Sequence, residues 1–182
     1  MISLRPAHLV AAAALLSLPR AEAHEGRDPS EARADAVTTV AVAGNGEDHL
    51  TTAIVHSQET TANGKILKST EIVELRGDLK GFVLYHVTSV FDFSAGTLVN
   101  TGDQVFSGTV AGSAPVMVHD DQFRFRVNLA TGEEGGKVYL FDHIAGPKVR
   151  CQLDVVGTGL SPEGNPTFDY RGTCTFRGPH NR

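Results

Sequence analysis

The side chains in this chain that are suited to acid–base chemistry fall in two places. Glu74, Tyr85, His86 and Asp92 lie in one stretch of alternating apolar and polar residues, and Tyr139 and His143 lie in another. A carboxylate, a phenol and an imidazole that meet in a cavity away from water have shifted acidities and can pass a proton to and from a bound molecule. Tyr85, His143 and Glu74 are the catalytic candidates on this reading. Tyr139 and Phe141 are the candidates for contacting a ligand. No nucleophile, phosphate-binding or metal-binding motif accompanies them, so the residues alone name no reaction. The same residue types serve equally on solvated or structural faces.

Strands must position these side chains. The stretch Glu71 to Gly112 alternates runs of Val, Ile, Leu, Phe, Tyr and Thr with the breaks RGDLKG, SAGT and NTGDQ, the pattern of antiparallel strands joined by hairpins. In its long run, Phe82, Leu84, His86, Thr88, Val90 and Asp92 share one face. Val83, Tyr85, Val87, Ser89, Phe91 and Phe93 share the other, which is more apolar and is assigned to the core. Further strands are expected over residues 36–43 and 50–58 around a Gly44-Asn45-Gly46 turn, and over 66–76, 81–93, 97–102 and 105–112. Others follow over 114–119, 123–129, 138–145, 149–157 and 167–177. The 182 residues include 19 Gly and 8 Pro, and no apolar stripe of helical period runs through them, which suits short strands better than a helical bundle. The expected fold is all-β, a single antiparallel β-barrel of about eight or more strands over residues 36–182. Closing the sheet removes edges that would otherwise pair with other chains.

Two cysteines permit one intramolecular disulfide, Cys151 to Cys174. Folding the last hairpin around Ser161 to Asn165 sets them directly opposite one another. The same register pairs Val149 with Phe176, Leu153 with Gly172 and Val155 with Tyr170, and turns Arg150, Gln152 and Asp154 to the other face. If the turn Gly146-Pro147-Lys148 keeps the simplest register, Tyr139, Phe141 and His143 share the inward face with Cys151. A one-residue bulge reverses that assignment.

The N-terminus carries an address. Arg5, the apolar run Leu9 to Leu18 and the small-x-small ending Ala21-Glu22-Ala23 read as a secretory signal cleaved after Ala23. The apolar run is too short to span a bilayer, so no membrane span is expected after cleavage. The protein is read as secreted or periplasmic, with a flexible polar leader over residues 24–35. A mature N-terminal His24 raises the idea of a copper-binding histidine brace, but a polar leader is a poor way to hold it rigidly. The net charge of −5 excludes a basic nucleic-acid surface. Arg76-Gly77-Asp78 spells an adhesion tripeptide, but it is also ordinary turn chemistry. His119-Asp120-Asp121 offers metal-ligand types at a spacing that rarely converges on one ion. In the segment Phe123 to Leu129, Arg124 and Arg126 alternate with apolar residues and mark an outward face. The reading requires no cofactor and no metal.

GDLKG, followed by an aromatic and Ser/Thr-rich strand, then SVFDF-x2-GT and FSGTVAG, resembles the allene oxide cyclase-like barrel superfamily, which includes the dirigent proteins. The resemblance covers about residues 66–176. It implies an eight-stranded antiparallel barrel with a cavity, a possible homo-oligomer, and handling of a small hydrophobic molecule whose cyclisation or isomerisation is steered without a cofactor. It carries over no catalytic residue. The alternative is a non-catalytic secreted binding or structural module whose barrel is filled by its own side chains. Cavity volume separates the two readings.

Overall fold

The computed structural model describes residues 36–178; the signal segment, the polar leader and its His24 lie outside the described residues. The strands are β1 (Val37–Asp48), β2 (Ile54–Thr61), β3 (Gly64–Gly77), β4 (Leu79–Asp92), β5 (Thr97–Val110), β6 (Val116–Asp120), β7 (Arg124–Asn128), β8 (Glu134–Leu140), β9 (Asp142–Ala145), β10 (Lys148–Leu160) and β11 (Pro166–Arg177). A single 3-10 turn, Leu50–Thr52, is the one helical element among the described residues. Every pairing is antiparallel, and eight strands close a ring in the order β1, β3, β4, β5, β7, β8, β10, β11 and back to β1. The expected all-β barrel is therefore the fold.

The strand sequences explain the closure. In β4, Leu79, Val83, Tyr85, Val87 and Ser89 are buried while Lys80, Phe82, Leu84, His86 and Val90 are exposed, so alternation places one face inside the ring. Phe93, assigned to the inner face with them, lies just beyond the strand and is exposed, because the chain turns away at Asp92. The last hairpin has the expected register: Cys151 faces Cys174 and the two are bonded, with Val149 opposite Phe176 and Val155 opposite Tyr170. A buried disulfide fits a periplasmic or extracellular protein. No helix among the described residues is long and apolar enough to cross a membrane.

The two ends of the barrel differ. Where β4 and β10 start and β5 and β11 finish, Leu79, Phe106, Val110, Val118, Val149 and Phe176 are almost wholly buried around the disulfide. Between the two ends two strands change neighbours. β3 pairs with β1 over Val73 to Gly77, and with β2 over Gly64 to Thr70. β5 pairs with β7 over Thr97 to Thr101, and with β6 over Gln104 to Gly108.

Three expectations are corrected, the first being that the segments 97–102 and 105–112 are not two strands parted at NTGDQ but one, β5, which pairs with β4 without a break. Gly44-Asn45-Gly46 is not a turn but the middle of β1, paired on both sides. A methyl group at Gly44 would overlap the ring and hydroxyl of Tyr170, and one at Gly46 would overlap the ring of Phe168, so the glycines make room for aromatic rings. The segment 138–145 is two strands rather than one. β8 pairs with β10 and β9 with β6, with a bulge between Met117 and Val118.

Candidate functional site

The end of the barrel away from the disulfide is hollow. A cavity of about 560 Å³ occupies it, within the range of small-molecule sites. Apolar side chains from the staves form most of the wall, among them Leu67, Phe91, Leu98, Phe125, Leu153 and Phe168. Leu50 of the 3-10 turn, Thr131 and Gly132 of the β7–β8 loop, and Leu160 and Pro166 of the last hairpin lie around the rim. Asn165 ties that rim together. Its Oδ1 accepts from the Thr51 amide and hydroxyl at 3.2 and 2.9 Å, and its Nδ2 donates to Glu47 at 2.9 Å.

A polar group sits inside this apolar wall. Glu71 on β3 is directly opposite Tyr85 on β4, which in turn is opposite Gln104 on β5, so strand pairing puts all three at one level. Asp48 arrives from the end of β1, Asn100 from β5 and Glu134 from the start of β8. Glu71 is buried and accepts from the Ser69 hydroxyl at 2.5 Å. Tyr85 is buried against Phe123, with ring centres 4.8 Å apart, and its hydroxyl meets Asn100. Gln104 donates to the buried Asp120 at 2.9 Å.

The electrostatics of the group follow from its isolation. Loss of water, then the charge of Glu71, its hydrogen bond and the charge of Glu134 push the Asp48 carboxyl up to about 8. Burial raises Glu134 as well. Burial, followed by the charges of Asp48, Glu71 and Glu134, holds the Tyr85 phenol well above its ordinary range, so it stays protonated at neutral pH. Asp48 Oδ1 and Asn100 Oδ1 are buried acceptors without a hydrogen-bond partner. The cluster thus presents two protonated donors, the Asp48 carboxyl and the Tyr85 phenol, beside two further carboxyl groups in an apolar chamber.

Of the sequence candidates, only Tyr85 lies in the cavity wall. Glu74 faces outward because it is three residues beyond Glu71 on a strand of period two. There it accepts from Arg76, which holds its carboxyl below the usual range. His143 is exposed on β9 and meets the Gly146 carbonyl at 2.8 Å. Cys151 pairs with Leu140, not with an odd-numbered neighbour, so Val138 and Leu140 turn inward while Tyr139 and Phe141 turn outward. There the two rings pack 5.5 Å apart and Phe141 lies under the Arg150 guanidinium. The observed register differs from the simple hairpin by an odd number of residues, and an odd offset flips the face.

His86 and Asp92 also fall outside. His86 lies 3.5 Å from Asp103 on the outer face, and Asp92 caps the β4–β5 turn by accepting from Ser94 and the Ala95 amide. Asp78 of the Arg-Gly-Asp tripeptide accepts from the Ala43 amide at 2.8 Å while Arg76 pairs with Glu74 and Glu47, so all three residues serve the fold. Asp120 is a structural acceptor for Gln104, the Tyr139 amide and the Gln122 amide. No group of three or more His, Cys, Asp or Glu side chains suited to a metal ion occurs among the described residues. Sequence reasoning missed Asp48, Glu71, Asn100 and Glu134. The signal for Glu71 was its parity with Val73 and Leu75 on the apolar face of β3.

Searches against protein-family models, curated proteins and solved structures returned no match.

Proposed function

We propose that this chain is an exported barrel protein that takes a small, largely apolar molecule into the cavity and moves a proton on it, giving cofactor-independent isomerisation or cyclisation. The observation that carries this reading is the polar cluster inside the apolar chamber. A chamber used only for storage has no need of Asp48 and Tyr85 as protonated donors next to Glu71 and Glu134. In the proposed reaction the Tyr85 hydroxyl and the protonated Asp48 steady the oxygen of a bound carbonyl, while Glu71 or Glu134 takes a proton from the adjacent carbon to give an enolate. The same carboxyl returns that proton to another carbon of the conjugated system, so the isomer forms with no net change in protons. The resemblance to cyclase-like barrels points the same way, and export with signal removal after Ala23 is part of the proposal. The filled-barrel alternative fits only the disulfide end.

The test is purification from the native source, followed by mass spectrometry of material extracted under denaturing conditions. A stoichiometric small molecule, turned over by wild-type protein and not by Tyr85→Phe or Glu71→Gln, is the expected result. Protein that carries no such molecule and binds no neutral apolar fluorophore overturns the reading.

A further inference from the structure

We propose that the preferred occupant of the cavity is an organic cation, a protonated amine on an apolar skeleton. This rests on the reading of the cavity as a ligand site and adds the chemical class. Three observations carry it.

The first is the sign of the wall. Asp48, Glu71 and Glu134 line the cavity, together with Tyr85 and Tyr170, and no Lys, Arg or His does. In a chamber shielded from water an anionic ligand meets three carboxyl groups and no compensating charge, whereas a cation meets only partners. The second is the kind of group left wanting. Asp48 Oδ1 and Asn100 Oδ1 both border the cavity, both are buried, and both are acceptors without a donor. What completes them is a group rich in N–H, and an ammonium brings up to three such donors. The third is the surround. The Tyr85 and Phe125 rings stand beside the carboxyl cluster, with centres 6.5 Å apart, and offer aromatic faces to a cation, while Leu67, Leu98 and Phe168 accept its apolar body.

The titration of the cluster supports the same assignment. Burial, then the charge and hydrogen bond of Glu71 and the charge of Glu134, keep the proton on Asp48, and a cation beside it offsets both the lost water and the repulsion. Amine binding therefore strengthens as pH rises from about 6 to 9, where an alkylamine remains protonated and Asp48 ionises.

The experiment uses the mature protein, a neutral apolar fluorophore in the cavity, and three competitors of one shape: 4-phenylbutylamine, 4-phenylbutanol and 4-phenylbutanoate. At pH 8.5 the amine is expected to displace the fluorophore at least about 10-fold more strongly than the alcohol, with the acid weakest. The amine's advantage shrinks at pH 6, where Asp48 holds its proton. Asp48→Asn and Glu134→Gln each reduce the amine-to-alcohol ratio several-fold. They also give two independent readings if Glu71→Gln, which loses the Ser69 contact, folds poorly. Fluorophore binding with an alcohol or acid that competes as well as the amine overturns the cation assignment and leaves the cavity reading intact. Failure of the fluorophore to bind overturns both.

Discussion

Asp48 and Asp120 are two carboxyl groups drawn into one barrel, and their surroundings were built by opposite rules. Asp120 sits on β6 opposite Gln104, where that side chain and two backbone amides supply it with donors. Asp48 sits in the hollow end, facing two carboxyl groups, with an oxygen that has no partner. A saturated buried carboxylate organises backbone; one left short of donors costs stability and is retained for something else. The same contrast extends to the apolar residues. Phe106, Leu79 and Phe176 are almost wholly buried, whereas Leu98, Phe125 and Phe168 have a void on one side. Strand alternation is identical at both ends, so filling is decided by which side chains stand at the inward positions.

The contrast is broken or sharpened by four measurements. The largest effect is at the filled end. Phe106→Ala is expected to cost about 3–5 kcal/mol in denaturant unfolding, against about 1–2 kcal/mol for Leu98→Ala, which only enlarges an existing space. Equal losses would mean that the two ends are packed alike. Next, replacing Cys151 and Cys174 with serine is expected to cost about 3 kcal/mol, while leaving fluorophore binding at the far end unchanged in the protein that remains folded.

The third measurement concerns pH. Asp48 holds its proton more tightly in the fold than in the unfolded chain. Between the ordinary carboxylate range and about 8, the folded state therefore keeps a proton that the unfolded chain has lost. Stability of the ligand-free protein falls as pH rises through that window. Asp48→Asn is expected to flatten the fall and to raise Tm at pH 8 by several degrees, at about 2–4 °C per kcal/mol. A wild-type Tm that does not change from pH 5 to 8 would place Asp48 in water. The smallest effect is at the rim. Asn165→Ala is expected to cost about 1 kcal/mol per hydrogen bond lost and to speed fluorophore release, measured by stopped flow.

Much of the fold was legible because it depends on local pattern. The disulfide register followed from one hairpin, and the inner face of β4 from a period of two. Illegible features were those set by distant strands. Gly44 to Gly46 looked like a turn until Tyr170 and Phe168 claimed the space above them. Tyr139 and Phe141 were turned outward because β9 leaves to pair with β6, so that β8 meets β10 at an odd offset from the simple hairpin. The site was harder still. Glu74 and Glu71 differ in parity, and only the observed pairing of Glu71 with Tyr85 tells them apart. Asp48 and Glu134 lie in GNGED and TGEEGG, sequences that look like solvated loops, and become interior only because the ring closes over them.

That closure has a consequence for how the molecule is made. The ring is sealed where β1 meets β11, eleven residue pairs from Val37 with Arg177 to Glu47 with Thr167. The seam joins the earliest strand to the latest, so the loop closed in forming it is nearly the whole barrel, and its entropy is lost before any contact rewards it. The hairpins β3–β4 and β10–β11 need no such wait. Assembly therefore runs from hairpins to ring, and until β11 emerges β1 is an open edge with its apolar face uncovered. The interior exists only once the last strand has docked.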